Sequence, residues 1–580
     1  MNVKLKIILL LSVLLSCSKS YDKAKDSFFV TSEEVEFKEF RIESFNQTGK
    51  YFFLCKTWGF LKYHHTNIKN GELDWDVVLF QTIKQVQSNP TKKEYEKIIL
   101  NLISQAGSIE LSKQTIKLDK KNYLNVNHKW FNNTTYLSKE IKEELLKIKQ
   151  NNISYGDQHY VKTTITGNLE FTNEKEYSEE SILNSEIRIL GLFRYWNVIN
   201  YFYPYKYDLD KNWDNILYEY IPRFITCNNE LDYNYLFAKL TTEIDDSHVK
   251  IKSKILQRKR AKYLGNFNVL AIDSFWIVNE FRVKGKKSNI HIGDVILKLN
   301  AKPIQFYYDS LKPFISASNE STLKRDASLL IFRTNQVLNK LTVIRNEDTL
   351  VLDEVFFEGE ELWNQHISER RSFARKNVGS IIDEGIGYIK LEQVFCCNQD
   401  MSFDWMFAKT NAIILDIRGY PNEEANNVIK KFINKKVHFW NCSYSDIDFP
   451  GSFRINRNTS LIGGDENIEI YKGLLIVLVN ENTQSQAEFS AMVFQTVPRM
   501  KIIGTQTAGA DGNITVIGLP GEIKTSFSGI GVFYPNMKPT QRVGIIPDIY
   551  VKRTVNGIIN GEDEILQAAI SYIKNQKEKL

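Results

Sequence analysis

Apolar and aromatic residues recur every three or four positions through the first third of the chain, the spacing of helices that bury one face. The pattern then repeats itself. The segment LCKTWGFLKYHHTNIKNGELDWDVVLFQTI, from Leu54, aligns without a gap on LFRYWNVINYFYPYKYDLDKNWDNILYEYI, from Leu192, placing Trp58 on Trp196, Tyr63 on Tyr201, and Trp75-Asp76 on Trp213-Asp214. One unit has been duplicated. In each copy the Trp-Asp pair marks the start of a second helix. We therefore expect related helical pairs over residues 40–110 and 185–255, joined by a polar connector over 111–184 whose LSKEIKEELLKIKQ reads as a solvated helix. Aromatic stripes at this spacing are more often core than ligand cage, so the repeat reads as scaffold.

From about residue 260 the period changes to alternation, in FNVLAI, FWIVNEF and LTVIRN, which predicts the strands of a small β-rich domain over 260–358. Beyond it, GIGYIKL, NAIILDIRG, GLLIVLVN and KIIGTQT are short apolar runs separated by helical stretches. Strands of that kind are covered on both faces, so residues 365–555 are expected to form α/β layers with a site at the strands' C-terminal ends. A C-terminal helix should occupy 556–580.

Composition adds exclusions. The charge of +6 is the small difference between 75 basic and 69 acidic residues spread along the chain, so there is no concentrated basic face for nucleic acid. At 580 residues the chain should divide into several domains. It carries no HExxH, no GxxxxGK and no GxGxxG between a strand and a helix, and Cys55, Cys227, Cys396, Cys397 and Cys442 form no metal-spaced pair. Neither a metal nor a cofactor is expected. At the N-terminus Lys4 and Lys6 precede the run Ile7 to Leu15, too short to span a bilayer and read as an export signal over 1–16. Its LLSC ending resembles a bacterial lipobox, which makes Cys17 the lipidated residue of a membrane-anchored protein and 17–39 its tether. Lys19 and the lack of an acidic run after Cys17 favour an anchor facing the periplasm.

The run Leu474 to Val479 is a buried strand, Ala487 to Phe494 a mostly buried helix, and Ser485 stands at the corner between them. An N–H at a helix start, most simply that of Gln486, is unpaired and suited to an oxyanion. Serine is equally a preferred helix cap, so this corner alone leaves both readings open. More residues follow in order: GTQTAGADGN (504–513), GLPGE (518–522), GIGVFYP (529–535) and TQRVGIIPDIYV (540–551), with ILDIRGYP (414–421) upstream. With the SxxE of Ser485 and Glu488, these blocks resemble the tail-specific, C-terminal-processing serine peptidases over roughly residues 380–552. The resemblance implies a fold of the crotonase and Clp protease type and protein or peptide C-termini as substrates. It also implies a PDZ domain ahead of the catalytic one, and IHIGDVILKLNAKPI (290–304) resembles the second half of such a domain, without a recognisable carboxylate-binding loop.

Within that family, one branch uses a lysine in TxGKG as base, and here Ala510 stands at the lysine position. The tricorn-like branch uses a histidine preceded by a serine, and Ser247-His248 in LTTEIDDSHVKIKS lies at the matching place. The resemblance thus assigns Ser485 as nucleophile and His248 as general base. It also implies a glutamate that orients the base through the serine before it, but Gln541 occupies that position; Glu488, Asp246 and Asp245 are alternative carboxylates. Oxyanion N–H groups are expected from Gln486 and from Gly419 or Tyr420, after a loop that lacks the family's double glycine. Two rival readings remain: an inactive relative that only holds peptides, and an envelope scaffold that uses exposed repeat tryptophans to hold glycans or a partner. Oligomeric state is not legible.

Overall fold

The computed structural model describes residues 40–109, 122–151, 158–178, 181–182, 184–374, 379–393, 403–421, 428–457, 461–463 and 469–577. The expected signal, tether and Cys17, and the Cys396-Cys397 pair, lie outside them.

The two repeat copies are helix pairs: α1 (Gln47–His64) with α2 (Trp75–Gln87), and α3 (Ser185–Phe202) with α4 (Trp213–Thr226). Each pair is tied by reciprocal indole bonds. Trp58 and Trp75 each donate Nε1–H to the other's carbonyl at 3.1 Å, and Trp196 and Trp213 do the same at 2.8 and 3.0 Å. All four indoles are buried, at most 5% exposed. Burying one removes about 150–250 Å² from water, on the order of 4–6 kcal/mol at about 25 cal/mol per Å². The scaffold reading that needed these tryptophans on the surface is thereby overturned.

The copies also cross. Lys56 on α1 pairs with Asp214 of the second copy at 2.7 Å, and Arg194, its counterpart on α3, pairs with Asp76 of the first at 3.0 Å. The helices α1 and α3 meet closely at Gly59, where a Cβ would stand 2.0 Å from the Asn197 side chain. A side chain there would force them apart.

The connector is more than a solvated link. Its helix Lys139–Gln150 buries Ile141, Leu145 and Ile148, and Glu174 inserts between Lys62 (2.7 Å) and Arg194 (2.8 Å) inside the helical core. A charge removed from water is stable there only because it meets opposite charge.

Strands β1 (Phe267–Ile272), β2 (Phe275–Phe281), β3 (Val295–Leu299), β4 (Leu338–Arg345) and β5 (Asp348–Val355) form an antiparallel sheet in the order β5-β4-β3-β2-β1. The helix α5 (Glu320–Ile331) packs on it through Leu323, Ala327 and Ile331.

The last third is built on β6 (Gly379–Asp383), β7 (Ile386–Lys390), β8 (Ala412–Asp416), β9 (Leu474–Val479), β10 (Met500–Gly504) and, beyond a hairpin, β13 (Ile549–Tyr550). They pair in that order, antiparallel between β6 and β7 and parallel thereafter. Alternate residues explain the layers. Ile413, Leu415, Leu475, Val477 and Val479 pack against α6 (Gln486–Phe494), while Ile414, Ile476 and Leu478 face the terminal helix α7 (Glu564–Lys577). That helix buries Ile565, Ala569 and Ile573, so it closes one face of the sheet and is an integral layer of this domain. The hairpin of β11 (Ile514–Leu519) and β12 (Ile523–Ser528) leaves the sheet and places Ile517, Leu519, Ile523 and Phe527 in the core of the helical repeat. The two regions share one hydrophobic interior.

Candidate active site

Parallel pairing brings the ends of β8, β9 and β10 together, and the loops that follow them form the site. After Val479 the chain turns at once: Thr483 donates its N–H to the Asn480 carbonyl at 2.9 Å and its hydroxyl to the Ile417 carbonyl, after β8, at 3.0 Å. Ser485 then takes φ 57° and ψ −121° before α6 begins. A capping serine sits in the extended region. A side chain held at positive φ costs on the order of 1–3 kcal/mol and persists where the surroundings impose it.

Those surroundings centre on Glu488, one turn into α6 and fully buried. Its carboxylate accepts the N–H of Ser485 (3.2 Å), Gly509 (2.7 Å) and Ala510 (3.0 Å) and the Thr507 hydroxyl, while Ser485 N–H also reaches the Ala510 carbonyl at 3.0 Å. Burial pushes its carboxyl up, opposed by these donors. Beside it Asp511, also buried, is pushed well above the carboxylate range by burial and by the Glu488 charge. Glu488 therefore ties the 507–510 loop to the serine corner; as an orienting carboxylate for His248 it is corrected, since every bond it makes runs to that loop or to Ser485.

His248 reaches the site by strand register. Lys252 bridges Lys524 antiparallel, Lys250 N–H donates to Ser526 Oγ at 3.2 Å, and Ser526 Oγ donates to the His248 carbonyl at 2.7 Å. Continuing that pairing sets His248 opposite Ser528, and Nδ1 lies 2.9 Å from Ser528 Oγ. Asp246 closes the group: it accepts the His248 N–H at 2.9 Å, the Ser528 N–H at 2.7 Å and the Ser528 hydroxyl at 3.1 Å. The imidazole is 8% exposed, and burial lowers its pKa, with Asp246 opposing and Lys250 adding to the shift. The shift favours the neutral imidazole.

Two expected partners stand elsewhere. Ser247 exchanges hydrogen bonds with Ser318 of the β domain, its N–H donating and its Oγ accepting at 2.9 Å each. Gln541 is buried, with Nε2 3.5 Å from both Ser318 Oγ and Tyr203 Oη, and its Oε1 has no partner. The link from position 541 through Ser247 to the imidazole is thus absent, because Ser247 is turned toward residues 316–318. Asp245 pairs with Arg542 at 3.5 Å.

The Ser485 hydroxyl and His248 share no hydrogen bond in this structure. Their segments are joined by Gln484 Nε2, which donates to the Ser247 carbonyl at 3.3 Å. The β domain braces this junction: Arg325 on α5 donates to the Glu481 carbonyl and to Gln484 Oε1, and Asn319 donates to the Thr507 and Ala508 carbonyls at 2.8 and 3.1 Å. Ser485 itself is half-buried.

The N–H of Gln486, first in α6, has no intrahelical partner. Gly419 and Tyr420 follow Arg418, whose guanidinium binds Asp416 (2.6 Å) and Asp563 (2.7 Å) and anchors the loop; Tyr420 is exposed. Among the described residues no group of His, Cys, Asp and Glu is placed to hold a metal ion, and no helix is long and apolar enough to cross a membrane. Sequence reasoning missed Ser528, Ser318, Asn319 and Arg325. Ser528 adjoins a recognised block, but nothing local connects it with a histidine so far away in sequence.

Residues 385–551 match the model of peptidase family S41. No curated protein matches the chain. Among solved structures, mature CPAF complexed with lactacystin aligns with a TM-score of 0.52 at 14% identity, over 67% of this chain and 99% of that one. Mature CPAF aligns at 0.51 and 13%, over 64% and 94%. The photosystem II D1 C-terminal processing protease aligns at 0.38 and 15%, over 63% and 93%. Residues 385–551 are thus a peptidase family S41 domain, in a chain whose fold is shared with mature CPAF.

Proposed function

We propose that this protein cleaves peptide bonds in exported proteins or peptides, with Ser485 as nucleophile and His248 as general base. The observation that carries the reading is Ser485 held at positive φ on a strand-to-helix corner, one residue from Gln484, which is bonded to the Ser247-His248 segment. Neutral His248 takes the Ser485 proton as Oγ attacks the peptide carbonyl; the imidazolium then protonates the leaving amine, and water repeats the sequence. Hydrogen-bond donors for the oxyanion come from the Gln486 N–H and from Gly419 or Tyr420. Catalytic contacts that are long in a free enzyme commonly tighten with substrate, which accommodates the missing Ser485–His248 bond.

The β domain is assigned as PDZ-like: β1 is the edge of its sheet and α5 lies beside it, the arrangement that adds a peptide as an extra strand. Substrate C-termini would enter there. The protein is placed at the cell envelope, lipid-anchored through Cys17 and facing the periplasm, by the reading of its first residues.

The test is fluorophosphonate labelling of the form beginning after Cys17, comparing wild type with Ser485→Ala and His248→Ala. Labelling that requires both residues supports the reading. Failure of wild type to label, beside an active serine peptidase that does, leaves a peptide-binding protein without turnover, the reading favoured by Gln541 in place of a carboxylate.

A further inference from the structure

We propose that Ser528 and Asp246 are positioning residues that fix the tautomer of His248 and stabilise its charged form, replacing the carboxylate absent at position 541. The inference rests on the Ser485/His248 reading and adds the machinery behind the base.

Ser528 has one hydroxyl hydrogen and two neighbours to satisfy: the Asp246 carboxylate at 3.1 Å and His248 Nδ1 at 2.9 Å. An ionised carboxylate only accepts. If the hydroxyl donated to Nδ1, its lone pairs would face the charged Oδ1. The arrangement without that repulsion has Ser528 donating to Asp246 and Nδ1–H donating to Ser528. Nδ1 then carries the proton, and Nε2 is the basic nitrogen available to Ser485. When Nε2 is protonated during acylation, the new charge is met through two hydrogen bonds by the Asp246 carboxylate, and no proton need move along the chain.

The surroundings hold this set rigidly. Asp246 is fully buried and fixed by the backbone N–H groups of His248 and Ser528, and Ser528 is the last residue of a paired strand. Neither Ser247 nor Gln541 has a bond to the imidazole. The charged groups acting on His248 are Asp246 and Lys250, and Lys250 is itself paired with Asp326 on α5 at 3.2 Å.

The test is the rate of fluorophosphonate labelling from pH 5 to 9 for wild type, Ser528→Ala, Ser528→Thr, Asp246→Asn and the Ser528→Ala/Asp246→Asn double variant, each checked for folding by thermal unfolding. We expect Ser528→Ala to slow labelling about 10- to 100-fold and to move the acid-side midpoint down by about one pH unit. Ser528→Thr, which keeps the hydroxyl, should recover most of the rate. The double variant should be no worse than the poorer single one, since both act through one path. In parallel, ¹⁵N spectra of histidine-labelled wild type, with His248 assigned by substitution, should show neutral His248 as the Nδ1–H tautomer. An Nε2–H tautomer overturns the proposal, as does Ser528→Ala labelling at the wild-type rate with an unchanged midpoint. If wild type fails to label, the Ser485/His248 reading falls, and the tautomer still decides whether Ser528 and Asp246 orient the ring.

Discussion

The Glu488 carboxylate accepts the Ser485 N–H at 3.2 Å while the same side chain holds the N–H groups of Gly509 and Ala510. One buried acid therefore connects the serine corner to the loop after β10. In Glu488→Gln the amide NH₂ would replace either Oε2, which accepts from Ser485 and Ala510, or Oε1, which accepts from Gly509 and Thr507, setting donor against donor in both orientations. We expect a loss of about 2–4 kcal/mol, from an unsatisfied buried group and released strain, and labelling of Ser485 slowed at least 10-fold. Urea unfolding and probe kinetics measure both; wild-type values for each would show that the loop is held by other contacts.

The crossing ion pairs of the repeat differ in hydration, and their substitutions should differ accordingly. Arg194 is fully buried between Asp76 and Glu174, so Arg194→Met strands carboxylates in the core and should cost about 3–5 kcal/mol. The side chain of Asp214 is 27% exposed, and Lys56→Met should cost only about 1 kcal/mol. Urea titrations followed by tryptophan fluorescence report the helical core, and equal losses would remove hydration as the distinguishing factor.

Acid sensitivity follows from His64. Burial lowers its pKa from 6.5 to about 3, against the pull of the Phe60 carbonyl, and the adjoining His128 is depressed for the same reason. Between pH 6.5 and about 3 the unfolded chain binds a proton that the native state refuses. Stability is therefore whole above pH 6.5 and falls below it, by about 1.4 kcal/mol per pH unit for each histidine. In His64→Phe the urea midpoint should decline less steeply from pH 6.5 to 4.5. A slope identical to wild type would mean that His64 is not buried neutral.

Gln541→Glu tests whether position 541 has retained the role expected from the tricorn-like resemblance. The residue is 1% exposed, with two hydroxyls at 3.5 Å and no link to the imidazole, so a charge there should cost about 3–5 kcal/mol and bring no gain in labelling. Faster labelling of the Gln541→Glu variant would instead show that a carboxylate at this position reaches the base.

Much of this was legible because it is local. Helical spacing marked both copies of the repeat, apolar runs marked the buried strands, and Ser485 stood visibly between a strand and a helix. The ordered blocks and the Asp-Ser-His segment pointed to the family. Which of Glu488, Asp246 and Asp245 faces the imidazole, and that Ser247 meets Ser318, was not legible because sequence neighbours do not reveal which way a side chain faces. The connector read as solvated because in its segment 137–150 seven charged residues outnumber five apolar ones, yet Glu174 is buried against Lys62 and Arg194 from the two repeat copies.

Periodicity and the candidate serine and histidine motifs were legible in the sequence alone, since each shows in residues a few positions apart. The tertiary structure alone decided that Lys56 and Arg194 reach across copies, that Glu488 serves a loop, and that Ser528 meets His248 and Asp246. Those contacts join segments far apart in the chain. They depend on strand register and helix crossing, which the cooperative packing of the whole interior sets.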